Sequence, residues 1–313
     1  MSTTNKSDEA VTKNRHAAPP QTNKSSENSK DNQAATTLPL DVYHIVRDLV
    51  LFFCRRIIFG PPRFKLLVSF AIILIGSILK SLDLAPTSYF SLKHNIFNRY
   101  FAKLGWAWTI GLLFPFIYLT LMTTHNNYQI VTRHLVRLLV ATGVWYIITY
   151  IFVSFEAYTG MCKHQEMRGA SRKICVGGGY EWQEGHDFSG HTFLLLYSLL
   201  IINEEVKSYD KGTKKVQQAS QSTNASGDTL GNISQDQLKL ISKIIQIIYV
   251  LLAALTILWE FMLLSTALYY HHTFHKLAAA FVAVFFWYIT YYVWYRPNST
   301  SILYPSSPKE RNY

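Results

Sequence analysis

The stretch GHDFSGHTFLLLYSLLIINEE at 185–205 sets a Ser-Gly-His tripeptide directly against an apolar run. Ser189 is a favoured helix N-cap, Gly190 has no side chain to keep a guest off the backbone, and His191 falls in the first helical turn. The N–H groups of a first turn lack partners inside the helix, and the helix dipole adds partial positive charge. Such an end is an anion site with an imidazole on its rim, and phosphate is its natural guest. An imidazole beside phosphate either protonates a leaving oxygen or attacks phosphorus itself. The bland alternative is a Ser N-cap followed by an interfacial histidine with no chemistry. A second element, STALYYHHTFHKL at 265–277, clusters His271, His272 and His275 in one short connection. One of them facing His191 completes a two-histidine phosphoryl-transfer site. Glu156 and Glu260 lie in or at the ends of apolar runs, where carboxylates are costly and usually functional; either orients an imidazole or reaches out to water. No Cys/His spacing resembles a zinc site, so neither a metal nor a cofactor is expected.

The elements that must position these groups are apolar. Long runs cover 66–79, 104–123, 138–155, 192–202, 244–268 and 277–295. About 20 apolar residues cross a bilayer, so the first and fourth runs are short and borrow flanking polar residues. Helix is the default in lipid, because unpaired backbone groups there are expensive. The predicted fold is therefore all-α: a polytopic membrane protein with six transmembrane helices, occupying 64–296. Residues 40–63 carry too many charges for a span and suit an N-terminal interfacial amphipathic helix. Residues 1–39 read as a disordered tail, about 207–240 as a disordered loop, and 297–313 as a C-terminal tail.

Six spans put both termini, the 124–136 loop and the 207–240 loop on one side. Lys and Arg near the span ends number fourteen on that side against nine on the other, which favours cytosolic termini. Span parity alone, whichever way up the protein sits, places the segment before His191 and the connection holding His271 on one face. Cys162 and Cys175 share a loop on that same, lumenal face, where oxidation is permitted, so a disulfide between them is expected, against the alternative of two free thiols. No nucleic-acid partner is expected.

The segments VWYIITYIFVSFEAYTGMC (144–162), HDFSGHTFLL (186–195), NEE (203–205) and TALYYHHTFHKL (266–277) together resemble the fat storage-inducing transmembrane family, and within it a fungal member. The likeness runs over nearly everything between 64 and 296. It implies an endoplasmic reticulum protein with six spans, cytosolic termini and a lumenal active site, distantly similar to the lipid phosphatases. By that analogy His191 and His271 are catalytic, His191 as general acid and His271 as nucleophile, with His272 as the alternative to His271. Ser189, Gly190, His272 and Lys276 are candidate substrate-binding residues. The implied reaction is cleavage of the phosphoanhydride bond of fatty acyl-CoA to acyl phosphopantetheine and adenosine bisphosphate, in support of lipid-droplet formation and membrane homeostasis. The basic motif of lipid phosphatases, K-x6-R-P, is not met, since Ile289 stands where its lysine should precede Arg296–Pro297. The S-R-x5-H-x3-D motif fails too, as no histidine follows Ser171–Arg172 at the required distance. The phosphate clamp is thus open among Lys276, Arg168, Arg172 and Lys173. A non-catalytic reading also stands: a protein that binds diacylglycerol or triacylglycerol and partitions it into nascent droplets.

Overall fold

The computed structural model describes residues 31–92, 94–125, 128–222 and 235–295; the first 30 residues of the tail expected at 1–39, the centre of the polar insert and the C-terminal tail lie outside them. The chain divides into two units, up to Leu49 and from Val50 onward. Helix α1 (Asp31–Ile58) starts earlier than the sequence predicts, and its part within the first unit exposes Val42, Ile45, Val46 and Leu49.

The second unit is a helix bundle. Helix α2 (Pro62–Ser81) begins on a proline, whose missing N–H costs nothing at that position. Helices α3 (Gly105–His125) and α4 (Tyr128–Thr159) follow, and both reach into the stretch expected as a 124–136 loop. A polar excursion then carries a two-stranded ribbon, β1 (Met161–Cys162) with β2 (Trp182–Gln183), and a short helix α5 (Arg172–Gly177). Cys162 and Cys175 are joined there by a disulfide, with Cα atoms 5.8 Å apart. Helices α6 (Gly190–Ser222), α7 (Gln235–Tyr269) and α8 (Thr273–Tyr288) complete the bundle, and α8 runs on as a π-helical segment to Trp294.

Among the described residues, five helices are long and apolar enough to cross a membrane: those within Pro62–Ser81, Gly105–Thr123, Val131–Thr159, Lys239–Tyr269 and Thr273–Trp294. This is a multi-pass membrane protein. The expected count of six is not reached because α6 falls short by this measure, and its place in the bundle explains why. From Thr192 to Val206 every residue except Glu204 is buried. α6 is the central post, packed by α3, α7 and α8. A helix buried all round needs no lipid-matched apolar length, and can carry polar groups where neighbours satisfy them. The outer helices show the reverse pattern, with Ile75, Tyr146, Tyr150, Ile247 and Phe281 exposed. Small residues bring helices together inside. A Cβ on Gly76 of α2 would stand 2.7 Å from the Ala267 Cβ of α7, so that crossing requires glycine.

The NEE segment, midway along α6, explains how the far end of its buried stretch is held. Asn203 Nδ2 donates to the carbonyls of Ile58 at 2.6 Å and Gly60 at 3.2 Å, pinning the turn between α1 and α2. Glu205 accepts from the Tyr291 hydroxyl at 2.6 Å and stands 3.3 Å from His134 Nδ1 and 3.7 Å from Arg137 Nε. The Arg137 guanidinium lies over the Tyr291 and Tyr295 rings, 5.1 and 4.5 Å from their centroids. This latch ties α4, α6 and the π segment. α6 also stays helical through 207–222, where an unstructured loop is expected; Lys, Gln and Ala are good helix formers without any apolar stripe.

Candidate active site

At the opposite end of α6, about 25 Å away at 1.5 Å per residue, the histidines meet. Ser189 is fully buried, and its Oγ accepts the Thr192 N–H at 3.3 Å while pairing with the Thr192 hydroxyl at 2.8 Å. This is the expected N-cap. The Phe193 N–H bonds the Ser189 carbonyl at 3.1 Å, which leaves the Gly190 and His191 N–H groups for a guest. Nothing lies within 4 Å of where a Gly190 Cβ would be, so there is room for one. His191 is half-buried and lines a small crevice of about 20 Å³ with Asn95, Ala102, Met262, Thr266 and Tyr270. Among the described residues its ring makes no hydrogen bond.

The short connection between α7 and α8 brings His271 to the same end. Its ring Nδ1 lies 3.0 Å from Asp187 Oδ2, with side chains 19% and 42% exposed. His271 holds a φ of +48°, in the left-handed region that side chains rarely occupy. Lys80 Nζ donates to its carbonyl at 2.9 Å and helps hold that conformation. Such strain persists only where surroundings over-determine it, and it concentrates at functional sites. The hydrogen bond from His271 pulls the Asp187 carboxyl below its ordinary value of 3.8; burial opposes this, and the charges of His271, His275 and His191 add to it. One carboxylate is thus within electrostatic reach of three imidazoles.

The geometry separates residues that the sequence leaves equivalent. His271 is paired with a carboxylate, whereas His272 is exposed, stands at the N-cap position of α8 without a side-chain cap bond, and packs its ring 5.9 Å from that of His275. Lys276, a candidate for phosphate, is fully buried and donates its Nζ to the Ala267 carbonyl at 2.6 Å, an internal tie across the α7–α8 turn. Arg172 stands 3.8 Å from Glu156 and 3.6 Å from Glu184, so Glu156 anchors the disulfide-closed excursion instead of an imidazole. Glu260 faces a groove with Lys65, away from the histidines. Nothing in the sequence alone singles out Asp187 or Lys80. Asp187 does stand within the HDFSGH motif, but nothing in the chain order says that it meets His271. Lys103, exposed, is a cation whose charge reaches His191.

Comparison with known proteins bears on this geometry. The family model "FIT: Fat storage-inducing transmembrane protein" matches residues 86–291, which include Asp187, His191 and His271. The chain belongs to the fat storage-inducing transmembrane family. It is 36% identical over 243 residues to the Homo sapiens acyl-coenzyme A diphosphatase FITM2, covering 76% of this chain and 84% of that one. The Danio rerio protein of the same name is 35% identical over 237 residues, 72% of this chain and 82% of its own. The Drosophila melanogaster one is 28% identical over 291 residues, 87% of this chain and 67% of its own. No solved structure matches. The departures from lipid-phosphatase motifs found in the sequence therefore sit in a chain whose fat storage-inducing transmembrane membership rests on residues 86–291 and on relatives matched over most of its length.

Proposed function

We propose that this protein is a fatty acyl-CoA diphosphatase of the endoplasmic reticulum membrane, cleaving the phosphoanhydride bond to acyl phosphopantetheine and adenosine bisphosphate. The observation that carries this reading is the Asp187–His271 pair beside His191 at the open N-terminus of α6. The relatives named for this activity support the substrate.

The hydrogen bond to Asp187 fixes the His271 tautomer. With its proton on Nδ1 and donated to the carboxylate, His271 presents the Nε2 lone pair as nucleophile. Nε2 attacks one phosphorus of the anhydride; a P–N bond forms and the bridging P–O bond breaks. Asp187 stabilises the imidazolium as positive charge develops. His191 donates a proton to the departing phosphate oxygen, and then removes one from the water that hydrolyses the phosphohistidine, restoring both residues. The Gly190 and His191 N–H groups bind phosphate oxygens without the cost of reorganisation, and Lys103 adds positive charge at the rim.

In this reading α6 is the sixth crossing, the termini are cytosolic, the histidines face the lumen and α1 lies in the cytosolic interface. Hydrolysis of acyl-CoA there supports lipid-droplet formation, with diacylglycerol and triacylglycerol as surrounding lipids. The test is hydrolysis of oleoyl-CoA by the purified protein in detergent, followed by mass spectrometry of the products. Parent protein is expected to release acyl phosphopantetheine, and His191→Ala and His271→Ala to release almost none. Parent-rate hydrolysis by either properly folded variant would overturn the assignment, and inactive parent protein would favour the lipid-partitioning reading.

A further inference from the structure

The crevice at the histidines is small, and a far larger cavity lies elsewhere in the bundle. A groove of about 870 Å³ opens where the end of α1, the start of α2 and the middle of α7 come together, on the Asn203 side of the bundle. Most of its charged wall precedes residue 86, outside the segment matched by the family model. Phe52, Phe64 and Ile257 give it an apolar lining that stays exposed, at 63%, 59% and 50%. Into this lining are set Arg55, Arg56, Lys65 and Glu260.

Lys65 is the unusual member. Only 7% of it is exposed, and its Nζ is buried with no hydrogen-bond partner among the described residues. An ammonium has three donors to satisfy, and a buried one without a partner is strongly unfavourable. Its burial is understandable if the groove holds an acceptor. Glu260 faces the same space and its charge acts on Lys65, but it makes no hydrogen bond to it, which leaves the Lys65 donors for another acceptor. Lys65, Arg55 and Arg56 outnumber Glu260 on the groove wall. A phosphomonoester carries about 1.5 to 2 negative charges at neutral pH and three strong acceptor oxygens. Phosphodiester zwitterions such as phosphatidylcholine offer no such net charge. The apolar lining at membrane level selects a guest that arrives with acyl chains.

We propose that this groove binds a membrane lipid with a phosphomonoester headgroup, its phosphate on Lys65 between Arg55 and Arg56 and its chains along Phe52, Phe64 and Ile257. The site is independent of the hydrolytic one and lies at the other end of the bundle.

The test is native mass spectrometry of full-length protein in neutral detergent, with dioleoyl phosphatidic acid, dioleoyl phosphatidylcholine or inorganic phosphate. Phosphatidic acid is expected to stay bound where phosphatidylcholine does not, and inorganic phosphate is expected neither to bind nor to displace it. Lys65→Met removes a buried unpaired charge, so it is expected to fold, to keep parent oleoyl-CoA hydrolysis and to lose about tenfold or more in phosphatidic acid affinity. Arg56→Gln, on the groove wall, is expected to weaken binding by a smaller factor and decides the matter if Lys65→Met fails to insert. Equal retention of the two lipids, displacement by inorganic phosphate, or parent-like phosphatidic acid binding by both variants would overturn the proposal.

Discussion

Replacing Asp187 with asparagine keeps the shape of the side chain but removes the charge that orients His271. An amide facing Nδ1 also offers an N–H, which favours the tautomer with its proton on Nε2 and removes the nucleophilic lone pair. A hydrogen bond involving a charged group contributes about 1.5–3 kcal/mol. At 1.36 kcal/mol per tenfold, its complete loss lowers kcat about 10- to 150-fold. Asp187 is 42% exposed, so water screens part of this, and the expected fall is about 10- to 30-fold. The assay is steady-state hydrolysis of oleoyl-CoA by purified protein, with kcat and KM resolved separately. The drop is expected in kcat, with membrane insertion unchanged and partial recovery in Asp187→Glu. The pH dependence supplies a second check. The folded-state value of Asp187 is depressed, so its contribution is present above the ordinary carboxylate value of 3.8 and is lost only as pH falls through the lower folded value. Asp187 is therefore charged throughout pH 5–8, and protonation of Asp187 itself is expected to contribute no pH dependence to the parent rate in that window. Parent kcat in Asp187→Asn would refute the role of the pair.

Gly190→Ala adds a methyl that meets no atom within 4 Å, so insertion and thermal stability are expected to match the parent while kcat/KM falls about tenfold; unchanged kinetics would mean that no substrate passes over this backbone. Glu205→Ala leaves Arg137, 6% exposed, without its carboxylate; a thermal-shift assay is expected to show destabilisation of about 3–5 kcal/mol. The sequons at Asn5, Asn23, Asn224, Asn232 and Asn298 all fall on the proposed cytosolic side, outside the described residues. Glycosidase treatment of protein from its native host is expected to leave the electrophoretic mobility unchanged, and a shift would reverse the orientation.

Much of this arrangement is legible in the chain because lipid imposes a simple code. Apolar runs become helices, and span parity brings His191 and His271 to one end whichever way the molecule is inserted. The Ser189 cap is legible because it is local: its oxygen and the Thr192 N–H are three residues apart. Contacts made across the bundle are not. Asp187 looks like one more loop carboxylate until the α7–α8 turn delivers His271 to it. Lys276 reads as a lumenal cation because span ends face water, yet the turn folds its Nζ back onto Ala267. The short apolar run of α6 suggests a span in need of help from its flanks; its central place in the bundle removes that need. Helix formation at 207–222 escapes notice because propensity without periodicity leaves no stripe to read.

The most direct measurement is rapid-quench labelling with oleoyl-CoA carrying radioactive phosphorus in its anhydride, followed by peptide mapping under alkaline conditions that preserve phosphohistidine. If His271 is the nucleophile, label accumulates before steady state on the peptide containing His271, is acid-labile, and is absent from His271→Asn. His191→Ala, which lacks the base for the second step, retains whatever label it acquires for longer than the parent. Product formation at full rate with no labelled enzyme at any time would contradict the covalent mechanism and leave the histidines to activate water directly.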